Sequence, residues 1–116
     1  MLAKKNRLSL TTGYQKLKTS GKWLNRSFFN LLYSDKFPSN NPHVAIVVGN
    51  KVSPLATKRN RLKRLISEAI RPFLSSLPEN FTLAIFAKKE INDKNLGEIK
   101  TELEGVVKQF NNETKN

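Results

Sequence analysis

The sequence predicts an α+β fold, with helices packed on a small sheet. Apolar residues recur at helical spacing around residues 62–73 and 96–110, as they do on the buried side of a helix. Short apolar runs at residues 44–48 and 81–87 are typical of buried strands. The 116 residues contain no repeat and no long linker, and this length fits one domain, residues 1–116.

The N-terminal part predicts an arm and a short helix. Residues 1–10 are basic, and we expect them to form a flexible arm because concentrated charge repels itself. Thr12 and Gln15 have the spacing of a capping box, and Gly21 is a typical stop signal. The first helix is therefore expected over residues 12–19.

Two strands are expected next. Residues 27–33 are aromatic and apolar enough for a strand, and residues 44–48 form a continuous apolar run that Gly49 ends. Alternation along the first strand should send only one of Phe28 and Phe29 inward. Either ring could be the one left on the opposite face of the sheet.

A basic, amphipathic helix follows, with two candidate starts. Ser53 before Pro54 suits an N-cap and first helical position, and Thr57 is a later alternative cap. Pro72 predicts an end near residues 73–74. The residues expected to face the core are Leu62, Leu65, Ile66, Ala69, Ile70 and Phe73. Those expected on the opposite side are Asn60, Arg64, Ser67 and Arg71.

The C-terminal part predicts a strand over residues 81–87 and a helix over about 95–110. Lys100 with Glu104, and Glu104 with Lys108, have the spacing of ion pairs on an exposed helix side. The residues expected on the apolar side are Leu96, Ile99, Leu103, Val106, Val107 and Phe110.

The positive charge is unevenly distributed. The net charge is +12, from 21 Lys and Arg against 9 Asp and Glu. Residues 1–67 hold 14 basic residues and one acid, whereas residues 68–116 hold seven basic residues and eight acids. This asymmetry favours a polyanionic partner. A membrane surface fits less well, because the apolar stripe of the basic helix is expected to face the core.

The densest charge lies in the segment 58–64, where five of seven residues are Lys or Arg near a predicted helix start. Cations are unfavourable at a helix N-terminus, which is the positive end of the backbone dipole. Bound phosphate groups would make this arrangement favourable, because they attract both the cations and the helix N-terminus. A start at Ser53 would move the segment into the second and third turns and weaken this argument.

The sequence lacks the residues of a self-sufficient nuclease. It has no Cys and one His, His43, which we interpret as a strand-edge residue without chemistry. Metal-dependent hydrolysis needs clustered carboxylates, and the basic part offers only Asp35. We therefore predict no catalytic residue and no metal ligand. With no apolar block for secretion or membrane spanning, we expect a cytoplasmic location.

Aromatic side chains lie in the same basic part, and unpaired bases stack on such rings. Tyr14, flanked by Lys16 and Lys18, is the favoured stacking contact. Trp23 and Tyr33 are interpreted as core or rim residues. The combination of cations and rings favours RNA as the partner.

Residues 51–71 resemble the protein subunit of bacterial ribonuclease P. The chain has Lys-Val-Ser at 51–53, Lys-Arg-Asn-Arg at 58–61 and Lys-Arg at 63–64, within an amphipathic segment that reaches Arg71. Further matches are Asn6-Arg7-Leu8, Gly21, Asn25-Arg26, Phe28 and Ala87-Lys88-Lys89.

The resemblance implies a division of labour between protein and RNA. In that family a catalytic RNA subunit, with bound Mg2+, cuts precursor tRNA to free the mature 5′ end, and the protein assists. The implied fold is a small mixed sheet with about three helices and a left-handed βαβ crossover. A cleft between the Arg-Asn-Arg helix and the sheet would hold the single-stranded 5′ leader. No protein oligomer is required.

The resemblance also assigns residues by position. The set expected to face the catalytic RNA is Lys51, Lys58, Arg59, Asn60, Arg61, Lys63 and Arg64. The candidates near the leader are Tyr14, Phe28 and Arg71.

Two other functions stay open at this point. A structural RNA-binding protein, of the ribosomal or RNA-chaperone type, would share the basic part but not the ordered match around Asn60. An autonomous ribonuclease would depend on His43, and replacing His43 by Ala would then abolish cleavage.

Overall fold

In the part of the chain that the structure describes, a four-stranded mixed sheet carries two α-helices on one of its faces. The computed structural model describes residues 21–34, 43–77 and 81–114, with side chains up to Asn111. The predicted arm and the predicted first helix, with Tyr14, lie outside the described residues.

The remaining predicted elements are confirmed, with shifts at their ends. The strands are β1 (Lys22–Asn25), β2 (Phe29–Ser34), β3 (His43–Val47) and β4 (Thr82–Ala87). The helices are α1 (Ala56–Ile70) and α2 (Leu96–Thr114), with 3-10 helices at Arg71–Ser76 and Lys89–Asp93.

The strand order β1-β2-β4-β3 places β4 inside the sheet. β2 runs antiparallel to β1 and β4, whereas β3 runs parallel to β4. Parallel neighbours need a long crossover connection, and α1 lies within it. The βαβ unit that the resemblance implied is therefore present, and its left hand stays a prediction.

β1 is a strand that the sequence did not predict. Its four residues include Lys22 and Asn25, and their side chains are exposed. The local sequence pattern does not favour a strand here. Pairing with β2 stabilises it, because Leu24 lies opposite the buried Leu31. This edge strand depends on its neighbour more than on its own composition.

The main core lies between one face of the sheet and both helices. Its fully buried members from the sheet are Phe29, Leu31, Leu83 and Ile85, and those from the helices include Ile66, Ile70, Ile99, Leu103 and Val106. Because side chains alternate along strands, the opposite face carries a smaller cluster of Leu32, Ala45 and Ala84, with Phe86 against it. We call this opposite side the second face of the sheet.

α1 begins at Ala56, between the two predicted starts. The Ser53 hydroxyl accepts a 3.3 Å hydrogen bond from the Leu55 amide, so it shapes the turn before the helix and does not cap it. Leu55 holds the N-cap position with extended backbone and no side-chain cap bond. α1 ends at Ile70, before the predicted end, because Pro72 has no N–H to continue the hydrogen-bond ladder.

The burial predictions for Ser67 and for the pair Phe28 and Phe29 are wrong. Ser67 was expected on the exposed side of α1, but it is 1% exposed and its hydroxyl donates to the Lys63 carbonyl at 2.8 Å. This back-bond satisfies the hydroxyl and permits burial. Phe28 and Phe29 are both buried, edge to face at 5.3 Å. Phe28 precedes β2, so strand alternation does not apply to it.

α2 begins with a reciprocal cap. The Asn95 side chain accepts from the Glu98 amide at 2.9 Å, and the Glu98 carboxylate accepts from the Asn95 amide at 3.4 Å. The predicted Glu104–Lys108 ion pair forms at 3.4 Å, whereas Lys100 makes no ion pair within the described residues. Leu96, expected on the apolar side, is instead 41% exposed.

Candidate nucleic-acid interface

The first two turns of α1 carry a set of cations that the helix does not itself stabilise. Lys58 and Arg59 are its third and fourth residues, and the first turn contains no acid. Positive side chains at this end oppose the helix dipole, at a cost of roughly 0.3–1 kcal/mol each when exposed. An anionic partner would convert this cost into attraction.

Most of the predicted RNA-facing residues are solvent-exposed. Exposed side chains without a hydrogen bond or ion pair to the described part of the chain are Lys51, Lys58, Asn60, Arg61 and Arg64. Lys63 is half-buried. The structure thus brings Lys58, Asn60, Arg61 and Arg64 onto the outer side of α1, with Lys51 in the preceding turn.

Arg59 differs from the other cations of this set. It is half-buried, and its Nη1 donates to the Ser53 carbonyl at 3.0 Å. The guanidinium therefore ties the turn before α1 to the helix. Arginine has five N–H donors, so this bond leaves others for phosphate.

Cations elsewhere in the described residues are often paired with carboxylates. Arg26 donates to Glu102 at 2.6 Å, and Lys94 lies 3.7 Å from Glu98. Arg71, a predicted leader contact, is exposed and pairs with Glu68 at 2.8 Å. Lys58, Arg61 and Arg64, on the outer side of α1, make no such pair within the described residues.

The space between α1 and the sheet is filled by the main core. Leu62, Ile66 and Ile70 of α1 pack in the same cluster as Leu31 and Leu83. The expected cleft between the Arg-Asn-Arg helix and the sheet is therefore not open at this face. The helix is too apolar on its inner side to leave a solvated channel there.

The second face of the sheet presents an aromatic surface that the sequence reasoning missed. Trp23 is 54% exposed, and its ring centroid lies 5.4 Å from that of Phe86. The nearby Asn30 Oδ1 is buried without a hydrogen-bond partner within the described residues. Trp23 was interpreted as a core or rim residue. Because β1 was not predicted, the sequence did not show that Trp23 and Leu24 point to opposite faces of the sheet.

Phe28, the other predicted leader contact with a described position, is 7% exposed. The Lys94 ammonium lies 5.5 Å from its ring centroid. One side of Phe28 borders a shallow groove near Thr101 and Glu102. Its ring is mainly a core group, and little of it remains for a base.

A sequence model of the family described as Ribonuclease P matches residues 2–111. The chain belongs to this family. The ribonuclease P protein component of Pseudanabaena sp. (strain PCC 6903) is 28% identical over 109 residues, which cover 92% of each chain. That of Synechococcus sp. (strain JA-2-3B'a(2-13)) is 32% identical over 66 residues, which are 57% of this chain and half of that protein's length.

Solved structures of ribonuclease P proteins share the fold. The protein from Thermotoga maritima is 25% identical, with a TM-score of 0.78 over 89% of this chain and 96% of that one. The Staphylococcus aureus protein is 21% identical, with a TM-score of 0.78 over 89% of this chain and 93% of that one. The predicted α+β fold is confirmed, and a role in tRNA 5′ processing follows from membership of the ribonuclease P family.

His43 is the first residue of β3 in this ribonuclease P fold and is half-buried. Its backbone amide donates a hydrogen bond to the Phe81 carbonyl at 2.9 Å. In residues 21–34, 43–77 and 81–114, no three acidic or His side chains converge as metal ligands would. No helix in these ranges is long and apolar enough to cross a bilayer.

Proposed function

We propose that this chain is the RNA-binding subunit of a ribonuclease P ribonucleoprotein that removes the 5′ leader of precursor tRNA. The observation that carries the proposal is the outer side of α1. Lys58, Arg61 and Arg64 are exposed there without an ion pair among the described residues, and Lys58 lies in the first turn, which disfavours cations. That side would hold phosphates of the catalytic RNA. Membership of the ribonuclease P family supports this partner.

The catalytic step belongs to the RNA in this proposal. Mg2+, bound mainly by the RNA partner, would supply the metal chemistry. The described side chains do not form a carboxylate cluster that fits such an ion, so we assign no step to a metal held by the protein. The chain would contribute binding and positioning, in the cytoplasm.

The leader is proposed to lie on the second face of the sheet. Single-stranded RNA is recognised by stacking its bases on exposed rings. Trp23 offers such a ring, backed by Phe86 at 5.4 Å. This placement moves the leader from the filled space behind α1 to the other side of the sheet.

Reconstitution tests the proposed function. The purified chain is mixed with a bacterial ribonuclease P RNA and a precursor tRNA at low Mg2+, where the RNA alone cleaves poorly. We expect accurate 5′ cleavage that neither component gives alone, because the protein offsets repulsion between the two RNAs. Cleavage by the nuclease-free protein without RNA, or no stimulation of the RNA, would overturn the proposal.

A further inference from the structure

A groove on the outer side of α1 combines an apolar floor with a cationic rim. It lies between α1 and the start of α2 and has a volume of about 470 Å³. Residues that line it include Asn60, Arg61, Arg64, Leu65, Glu68 and Leu96. Phosphate binding alone would need the cations but would make no use of the floor.

The floor is formed by two leucines from different helices. Leu65 of α1 is half-buried, and Leu96 is the first residue of α2 and is 41% exposed. The reciprocal cap between Asn95 and Glu98 holds the start of α2 in place. An apolar surface is thus kept in solvent beside the basic side of α1.

The rim of the groove is positively charged. Arg61 and Arg64 make no hydrogen bond or ion pair with the described residues. The one carboxylate of the groove, on Glu68, is paired with Arg71 at 2.8 Å, which offsets its charge. Asn60 adds an exposed amide that can both donate and accept.

We propose that this groove takes a single unpaired nucleotide of the RNA partner. The base packs against Leu65 and Leu96, and the adjacent phosphates bind Arg61 and Arg64. The side-chain amide of Asn60 forms hydrogen bonds with the edge of the base. A stacked duplex hides its base faces and cannot use the apolar floor. The rim charge selects against an apolar peptide. The inference rests on the proposed function and specifies one contact within it.

Leu96 and Leu55 provide matched variants. Both are exposed leucines next to the basic side of α1, at 41% and 62%, but Leu55 does not line the groove. Binding of the full chain to a bacterial ribonuclease P RNA is measured across salt concentrations. Leu96→Asn should weaken binding about 5- to 30-fold with an unchanged salt slope, because it removes the apolar burial of one leucine and no phosphate contact. Leu55→Asn should stay within about twofold.

Chemical probing of the bases locates the contact. One unpaired base should be protected by the wild-type chain and by Leu55→Asn, and exposed with Leu96→Asn. An abasic nucleotide at that position should weaken wild-type binding as much as Leu96→Asn does, and combining the two changes should add nothing. Leu96→Met, which keeps the apolar contact, should restore both affinity and protection.

Failure of the groove and failure of the proposed function give different results. If the wild type binds with a steep salt dependence but Leu96→Asn matches Leu55→Asn, the groove does not hold a base and the proposed function stands. If binding of the wild type to the RNA does not depend on salt, phosphate contacts are absent and the proposed function itself is overturned. Circular dichroism of each variant verifies that α2 is intact.

Discussion

Arg59 illustrates how one side chain serves both the fold and the interface. Its bond to the Ser53 carbonyl connects the turn before α1 to the helix, so its replacement would change structure as well as charge. Arg61 and Arg64 have no such bond within the described residues. They are the better residues for testing phosphate contacts, because their loss leaves the helix start unchanged.

Replacing Arg61 and Arg64 together by Ala should weaken binding to ribonuclease P RNA and flatten its salt dependence. Each lost phosphate contact lowers the slope of log K against log salt by roughly 0.7–0.9. Filter binding over a series of salt concentrations measures this slope. Lys100→Ala with Lys108→Ala removes the same charge from α2 and should leave the slope unchanged. Equal slopes for both double variants would show that α1 does not meet phosphate.

At the scale of the element, α1 combines a stabilising inner side with an unfavourable charge in its first turn. Its inner side packs Leu62, Ile66 and Ile70 into the core, which stabilises it by burial. Its first turn contains cations and no acid, which opposes the backbone dipole. A helix selected only for stability would have the opposite charge there.

Lys58→Glu should therefore make the protein more stable while weakening RNA binding. Removing a cation from the first turn and adding an anion should raise the free energy of unfolding by about 0.5–1.5 kcal/mol at low salt. Urea denaturation measures this. Lys51→Glu makes the same charge change outside the helix, so it should weaken RNA binding without the gain in stability. A loss of stability in Lys58→Glu would contradict the dipole argument.

At the scale of the molecule, two surfaces lie on opposite sides of the sheet. α1 covers one face and turns its cations outward, whereas the second face carries Trp23 and Phe86. The exposed cations of α1 and the exposed Trp23 ring therefore point away from each other, on opposite sides of the sheet. Under the proposed function, these two surfaces would contact different RNAs.

Trp23→Ala should affect the role of the second face and leave that of α1 unchanged. It should leave affinity for the ribonuclease P RNA unchanged and reduce the preference of the holoenzyme for precursor over mature tRNA about 5- to 100-fold, the effect of one stacked base. Competition binding of the two tRNAs measures the preference. Trp23→Phe keeps a ring and should retain most of it. An unchanged preference in Trp23→Ala would place the leader elsewhere.

Parts of the site were predictable because they depend on neighbouring residues in the chain. The apolar stripe of α1 follows from helical spacing, and the cations between its apolar positions must point outward. The basic segment therefore lies where it was expected. Trp23 was not predictable in the same way, because its exposure depends on the pairing of β1 with β2.

The amino-acid sequence by itself determined the α+β class, the partner chemistry and the helix that carries the charge, since periodicity and composition are local properties. Only the tertiary structure decided that Ser67 and Phe28 are buried and that Leu96 is exposed beside Arg61. Burial depends on which distant residues meet, and no local pattern of residues contains that information.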